Sequence, residues 1–109
     1  MYKVILTQDA YSDLESIIDF ISAASLSRAL KFEEKLSLRI NSLATNPERC
    51  RYVYEVYDFN GDTSYRELLV SHYRIIFKLA KKEIFILGFL DTRRNLFDII
   101  NQRYVKSKF

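Results

Sequence analysis

The chain is predicted to be an α+β fold in which a helical hairpin packs on one face of an antiparallel β-meander. Three observations predict this. From Ser64 to Asn95 the sequence reads SYRELLVSHYRIIFKLAKKEIFILGFLDTRRN, three runs rich in β-branched and aromatic residues broken by short polar turns. Two amphipathic helical patterns precede it, separated by a few residues. The first helical pattern is itself preceded by a short β-rich run, YKVIL.

Each element has its own warrant. Tyr2 to Leu6 is an expected strand, followed by Thr7 as N-cap, with Asp9 favourably placed in the first turn of the helix. The first helix is expected over about Gln8 to Ala24, with Tyr11, Leu14, Ile17, Ile18 and Ile21 as its apolar stripe. Ser25 or Ser27 starts a second helix with Ala29, Phe32, Leu36, Ile40 and Leu43 in line, ended by Asn46-Pro47. Residues Glu48 to Thr63 are ambiguous. Tyr52 to Tyr57 reads either as a strand or as an ordered tyrosine-rich loop, and Asn60-Gly61 as a hairpin turn into Tyr65. After Asn95, LFDIINQRYVK places Leu96, Ile99, Ile100 and Arg103 along one stripe of a last helix.

Register decides what the meander displays. With Ser71-His72 as a two-residue loop, Val70 faces Tyr73, Leu69 faces Arg74 and Glu67 faces Ile76. Alternation then gives an apolar face of Leu68, Val70, Tyr73, Ile75, Phe77 and Leu79, joined by Ile84, Ile86 and Leu90. The opposite face carries Tyr65, Glu67, Leu69, Arg74, Ile76 and Lys78, with Phe85, Leu87 and Phe89 from the last strand. Its apolar half needs a cover, supplied by the C-terminal helix or by a partner. A three-residue turn would reverse the parity and put Arg66 beside Arg74.

Composition narrows the function. The 109 residues suit one domain, and 49% hydrophobic with 28% charged residues is the profile of a globular chain and not of a disordered one. No apolar run is long enough for a membrane helix, and no signal-peptide pattern opens the sequence. A lone Cys50 fits a reducing cytoplasm and a packing role. One His and one Cys exclude a spaced metal set, His72 alone supplies no triad, and Gly61 and Gly88 form no phosphate loop. No cofactor is expected. Seven basic residues face ten acidic ones through Ser64, whereas ten face four from Tyr65 onward. The basic half suits an acidic partner, nucleic acid or protein. Arg66, Arg74, Lys78, Arg93 and Arg94, interleaved with tyrosines, are the candidate target-binding group.

The pattern YKVILT, a helical hairpin ending NPER, then RELLVSHYRIIFKL, EIFILGFL and DTRRN resembles the RelE/ParE family of bacterial toxins over nearly the whole chain. The resemblance implies a cytoplasmic toxin of a type II toxin–antitoxin module, neutralised by a cognate antitoxin in a hetero-oligomer. It also implies growth arrest and plasmid stabilisation. Antitoxin contacts are expected on Ile76, Phe85, Leu87 and Phe89, the apolar part of the second sheet face. RelE-like members cleave mRNA on the ribosome, whereas ParE-like members inhibit DNA gyrase and hydrolyse nothing. In the nuclease pattern Arg74, Arg93 or Arg94, and Arg66 would be the catalytic candidates. Its lysine positions, however, hold Tyr65 and Glu67 here, and its late tyrosine falls on Ile99 or Ile100, with Tyr104 further on. Two required roles are unfilled, so the ParE-like reading is preferred, with the ribosome-dependent nuclease or a non-toxic interaction module of the same fold as alternatives.

Overall fold

The computed structural model describes residues 1–105. It holds a five-stranded sheet in the order β1-β5-β4-β3-β2, built from β1 (Lys3–Leu6), β2 (Arg51–Tyr52), β3 (Tyr65–Val70), β4 (Tyr73–Ala80) and β5 (Glu83–Asp91). Helices α1 (Gln8–Ala24) and α2 (Leu26–Ser42) form the hairpin, α3 (Tyr54–Asn60) lies between β2 and β3, and α4 (Leu96–Ile100) runs on into a π-helical turn, Asn101–Val105. β1 returns to the edge of the sheet, parallel to β5; the other strand pairs are antiparallel.

Capping fixes the hairpin. Thr7 Oγ1 accepts the Ala10 N–H at 3.3 Å, and its own hydroxyl donates to the Ile86 carbonyl, tying the start of α1 to β5. Ser25 caps α2, which ends at Ser42, before the expected Asn46-Pro47; Pro47 instead opens a 3₁₀ turn, Pro47–Arg49. Of the α1 stripe, Leu14, Ile17, Ile18 and Ile21 pack against the core, while Tyr11 points to solvent.

The ambiguous stretch is neither the long strand nor the loop expected. Two residues of strand pair with β3, and Val53 and Val56, both fully buried, then anchor the short helix α3. Asn60-Gly61 is correspondingly not a hairpin turn. Gly61 takes a left-handed φ of 72° after the helix and donates its N–H to the Tyr57 carbonyl, an αL termination.

The two-residue turn at Ser71-His72 is present, and Val70, Leu69 and Glu67 face Tyr73, Arg74 and Ile76 as expected. On β5 the parity changes. Ile76 faces Gly88 and Phe77 faces Ile86, leaving Leu87 as an extra, bulged residue. Past the bulge the faces are exchanged relative to simple alternation. Phe89 joins Phe32, Leu36, Ile75, Phe77, Ile84 and Ile86 under the hairpin, and Leu90 joins the opposite core. That second core contains Ile76, Val53, Val56, Leu96, Ile100, Tyr104 and Val105. The C-terminal segment therefore supplies the cover that the second face requires.

Candidate target-binding surface

The site is built outward from Arg74, the second residue of β4. The hairpin register puts it on the face of Glu67, and α3 carries Glu55 over the same spot. Arg74 Nη1 and Nη2 donate to the two Glu55 oxygens at 2.9 Å each, a bidentate pair, and Nε donates to Glu67 Oε1 at 3.0 Å. Arg74 Nη2 also bonds Glu67. Glu67 is 4% exposed, and its other oxygen accepts from Arg51 Nε at 2.7 Å and Nη2 at 2.6 Å. Two guanidiniums and two carboxylates thus form one chain with no net charge. The Glu55 hydrogen bonds, followed by those to Glu67, hold the Arg74 guanidinium protonated above its usual range. Arg74 in turn holds the Glu55 carboxyl below its own. The hairpin register puts Arg74 and Glu67 on one face; in the structure they belong to a largely buried network whose third and fourth members, Glu55 and Arg51, come from the ambiguous stretch.

The other candidates are dispersed. Arg66 lies on the opposite face from Arg74, as the two-residue turn requires. There Nη1 donates to the Glu48 and Cys50 carbonyls at 2.9 and 2.8 Å, and the guanidinium sits 4.7 Å from the Tyr52 ring centre. Lys78 shares the face of Arg74, with its ammonium 5.1 Å from the Tyr65 ring centre. Arg93 and Arg94 stand at the far end of β5. Arg93 pairs with Asp91 through Nε at 3.1 Å and Nη2 at 2.9 Å, and this bond holds the Asp91 carboxyl down at about 2. Arg94 is exposed. Cys50 is a free thiol pushed up by burial, in keeping with a packing role.

Of the residues expected to meet an antitoxin, Ile76 and Phe89 are sealed in the protein's own cores. Leu87 packs against the second core, and Phe85 stays half-buried. The bulge and the C-terminal cover account for this.

One cluster has no counterpart in the sequence reading. Asp13 of α1 accepts Arg103 Nη1 at 2.8 Å and Nη2 at 3.1 Å, and also the Phe89 N–H at 3.1 Å, which β1 is too short to pair. Gly88 lies beneath it. A Cβ there would stand 2.5 Å from the Tyr104 hydroxyl. Ninety positions separate Asp13 from Arg103, and only the helical phase of Arg103 hinted at an inward role.

Residues 4–96 match the family described as ParE toxin of the type II toxin–antitoxin system parDE. The chain belongs to the ParE toxin family. A solved structure described as the chromosomal ParDE TA system from P. aeruginosa has the same fold, with a TM-score of 0.65 at 20% identity. The match covers 84% of this chain and 96% of that one. No curated protein matches. As a ParE toxin domain of a toxin–antitoxin system, the chain has an antitoxin as its partner. The α+β fold of the resemblance, with its N-terminal strand, helical hairpin, meander and C-terminal helix, is the fold of this ParE chain.

Proposed function

We propose that this ParE toxin arrests growth in the bacterial cytoplasm by inhibiting DNA gyrase, cuts no RNA, and is neutralised by its cognate antitoxin. The observation that carries the reading is the saturation of Arg74 by Glu55 and Glu67. Cleavage by 2′-hydroxyl attack requires a base, an acid and uncompensated positive charge on the phosphorane. Here Arg74, the strand arginine of the nuclease pattern, is fully occupied by carboxylates. Glu67 would repel a scissile phosphate, and Arg66, the cation that a different turn would have added, is on the other side of the sheet. Tyr104 offers no acid: its phenol is buried in the second core and pushed above its usual range by that burial. Of the target-binding candidates, Arg93, Arg94 and the half-buried Lys78 are suited to gripping an acidic protein surface.

The test is to titrate purified toxin into gyrase supercoiling reactions and into translating ribosomes. Loss of supercoiling with intact mRNA is the expected result. Codon-specific mRNA cuts would overturn the proposal in favour of the nuclease.

A further inference from the structure

Counted along the chain, positive charge gathers from Tyr65 onward, but folding neutralises much of it: Arg74, Arg93 and Arg103 are each paired with carboxylates. An unneutralised row lies elsewhere, on α2. Arg28, Lys31, Lys35 and Arg39 recur at helical spacing, so they fall within roughly 80° of the helix circumference. Glu33 and Glu34, the two carboxylates of the helix, lie outside that sector. The row overhangs the β3–β4 turn: Lys35 Nζ lies 3.5 Å from Ser71 Oγ, and Arg28 borders a cleft with His72. At its far end it runs into a cleft of about 430 Å³ between the end of α2 and the β2–β3 edge, lined by Arg39, Arg49 and Arg51. The one carboxylate lining that cleft, Glu67, already accepts from Arg51 and Arg74. All six cations are exposed, and all but Arg51 join no ion pair among the described residues. Lys31, Lys35 and Arg39 stand one turn apart, an arrangement that destabilises a helix unless an anion lies across it.

We propose that this row holds the sugar–phosphate backbone of duplex DNA, without reading its sequence. From Arg28 to Arg39 it runs roughly 16 Å, on the order of five phosphates of one strand. Arg49 and Arg51 extend it past the end of α2. The chemistry of the row selects among anions. A single strand is held by stacking its bases on aromatic rings, and no ring lines the cleft. Duplex RNA is gripped through its 2′-hydroxyls as well as its phosphates, and a row of Lys and Arg has no acceptor to offer those hydroxyls. An acidic peptide needs an apolar anchor, and Leu69 is the only exposed large apolar side chain lining the cleft. The contact goes beyond the gyrase reading and does not depend on it. A toxin seated on gyrase would also touch, through this row, the DNA that the enzyme carries.

The experiment follows the fluorescence anisotropy of a labelled DNA duplex as purified full-length toxin is added at several salt concentrations. For wild type, log K is expected to fall against log salt with a slope of about −4 to −5, as for five phosphate contacts. Lys35→Gln/Arg39→Gln/Arg49→Gln is expected to lose affinity roughly tenfold or more and to flatten that slope by about three. Lys3→Gln/Lys81→Gln/Lys82→Gln removes the same charge beside β1, at the opposite edge of the sheet, and is expected to bind as wild type. All six positions are exposed, so unfolding midpoints are expected to stay unchanged. Should Lys35→Gln disturb the turn at Ser71, Arg39→Gln/Arg49→Gln carries the test alone, with a slope change of about two. Equal losses in the two triple variants would reduce the effect to net charge and overturn the row. Absence of duplex binding by wild type, or tighter binding of single-stranded DNA, duplex RNA or a polyglutamate peptide, would overturn it as well. No gyrase is present, so failure here leaves the gyrase reading standing, and failure of supercoiling inhibition leaves the DNA contact standing.

Discussion

Gly88 shows how much one missing side chain can matter. The Tyr104 hydroxyl, an Arg103 nitrogen and an Asp13 oxygen all crowd the space a Cβ would fill, at 2.5, 3.1 and 3.1 Å. Gly88→Ala is therefore expected to destabilise the protein by about 1–3 kcal/mol, read as a lower denaturant midpoint. Arg74 carries a different cost. Arg74→Ala leaves Glu67 buried with only the exposed Arg51 beside it, at an expected cost of about 3–5 kcal/mol. A gyrase assay on that variant is interpretable only alongside its folding. This network and the separate Arg93–Asp91 pair set an acid limit. Glu55 and Asp91 both have folded pKa values below their ordinary ones. Their contribution is present above the ordinary carboxylate range and is lost as pH falls through the depressed folded values. Urea midpoints measured from pH 6 downward are expected to fall from about pH 4.5 toward 2. Replacing Glu55 by Gln should flatten part of that slope, and an unchanged slope would remove Glu55 from the account.

At the scale of elements, the hairpin core was legible because its warrant is periodicity. Leu36 and Phe77 are buried in the same core, as the stripes predict, and truncating either to Ala is expected to cost about 2–5 kcal/mol in chemical denaturation. The hairpin register from Val70 to Tyr73 was legible too, and with it the meeting of Arg74 and Glu67. What could not be read were features set by contacts distant in sequence. The one local mark of the bulge at Leu87 is the isolated Gly88 after it; the strand makes room there for Asp13, Arg103 and Tyr104, which arrive from both ends of the chain. Alternation therefore misplaced Phe89 and Leu90. The tyrosine-rich stretch misled for a similar reason: only Val53 and Val56 are buried, and the side chains that suggested a strand, Tyr52, Tyr54 and Tyr57, are exposed. The bulge gives a sharp test. Deleting Leu87 forces Phe89 and Leu90 to exchange cores and is expected to abolish cooperative unfolding, whereas Leu87→Ala keeps the register and the fold. Removing everything after Asn95 uncovers Ile76 and Leu90, and free toxin so shortened is expected to aggregate where the full chain stays soluble.

For the whole molecule, the order of strands has a consequence in time. β1 is complete by Leu6, but its neighbour in the sheet, β5, begins only at Glu83. At typical synthesis rates the first strand waits roughly 4–15 s for its partner to be made. The helical hairpin waits with it, since the strands that its apolar stripes cover start at Tyr65. Until Tyr65 is made the nascent chain is a pair of amphipathic helices with nothing beneath them. Closure of the sheet joins the earliest and the latest strands in a single step, so a ribosome stalled before Glu83 holds a chain that cannot yet be a toxin.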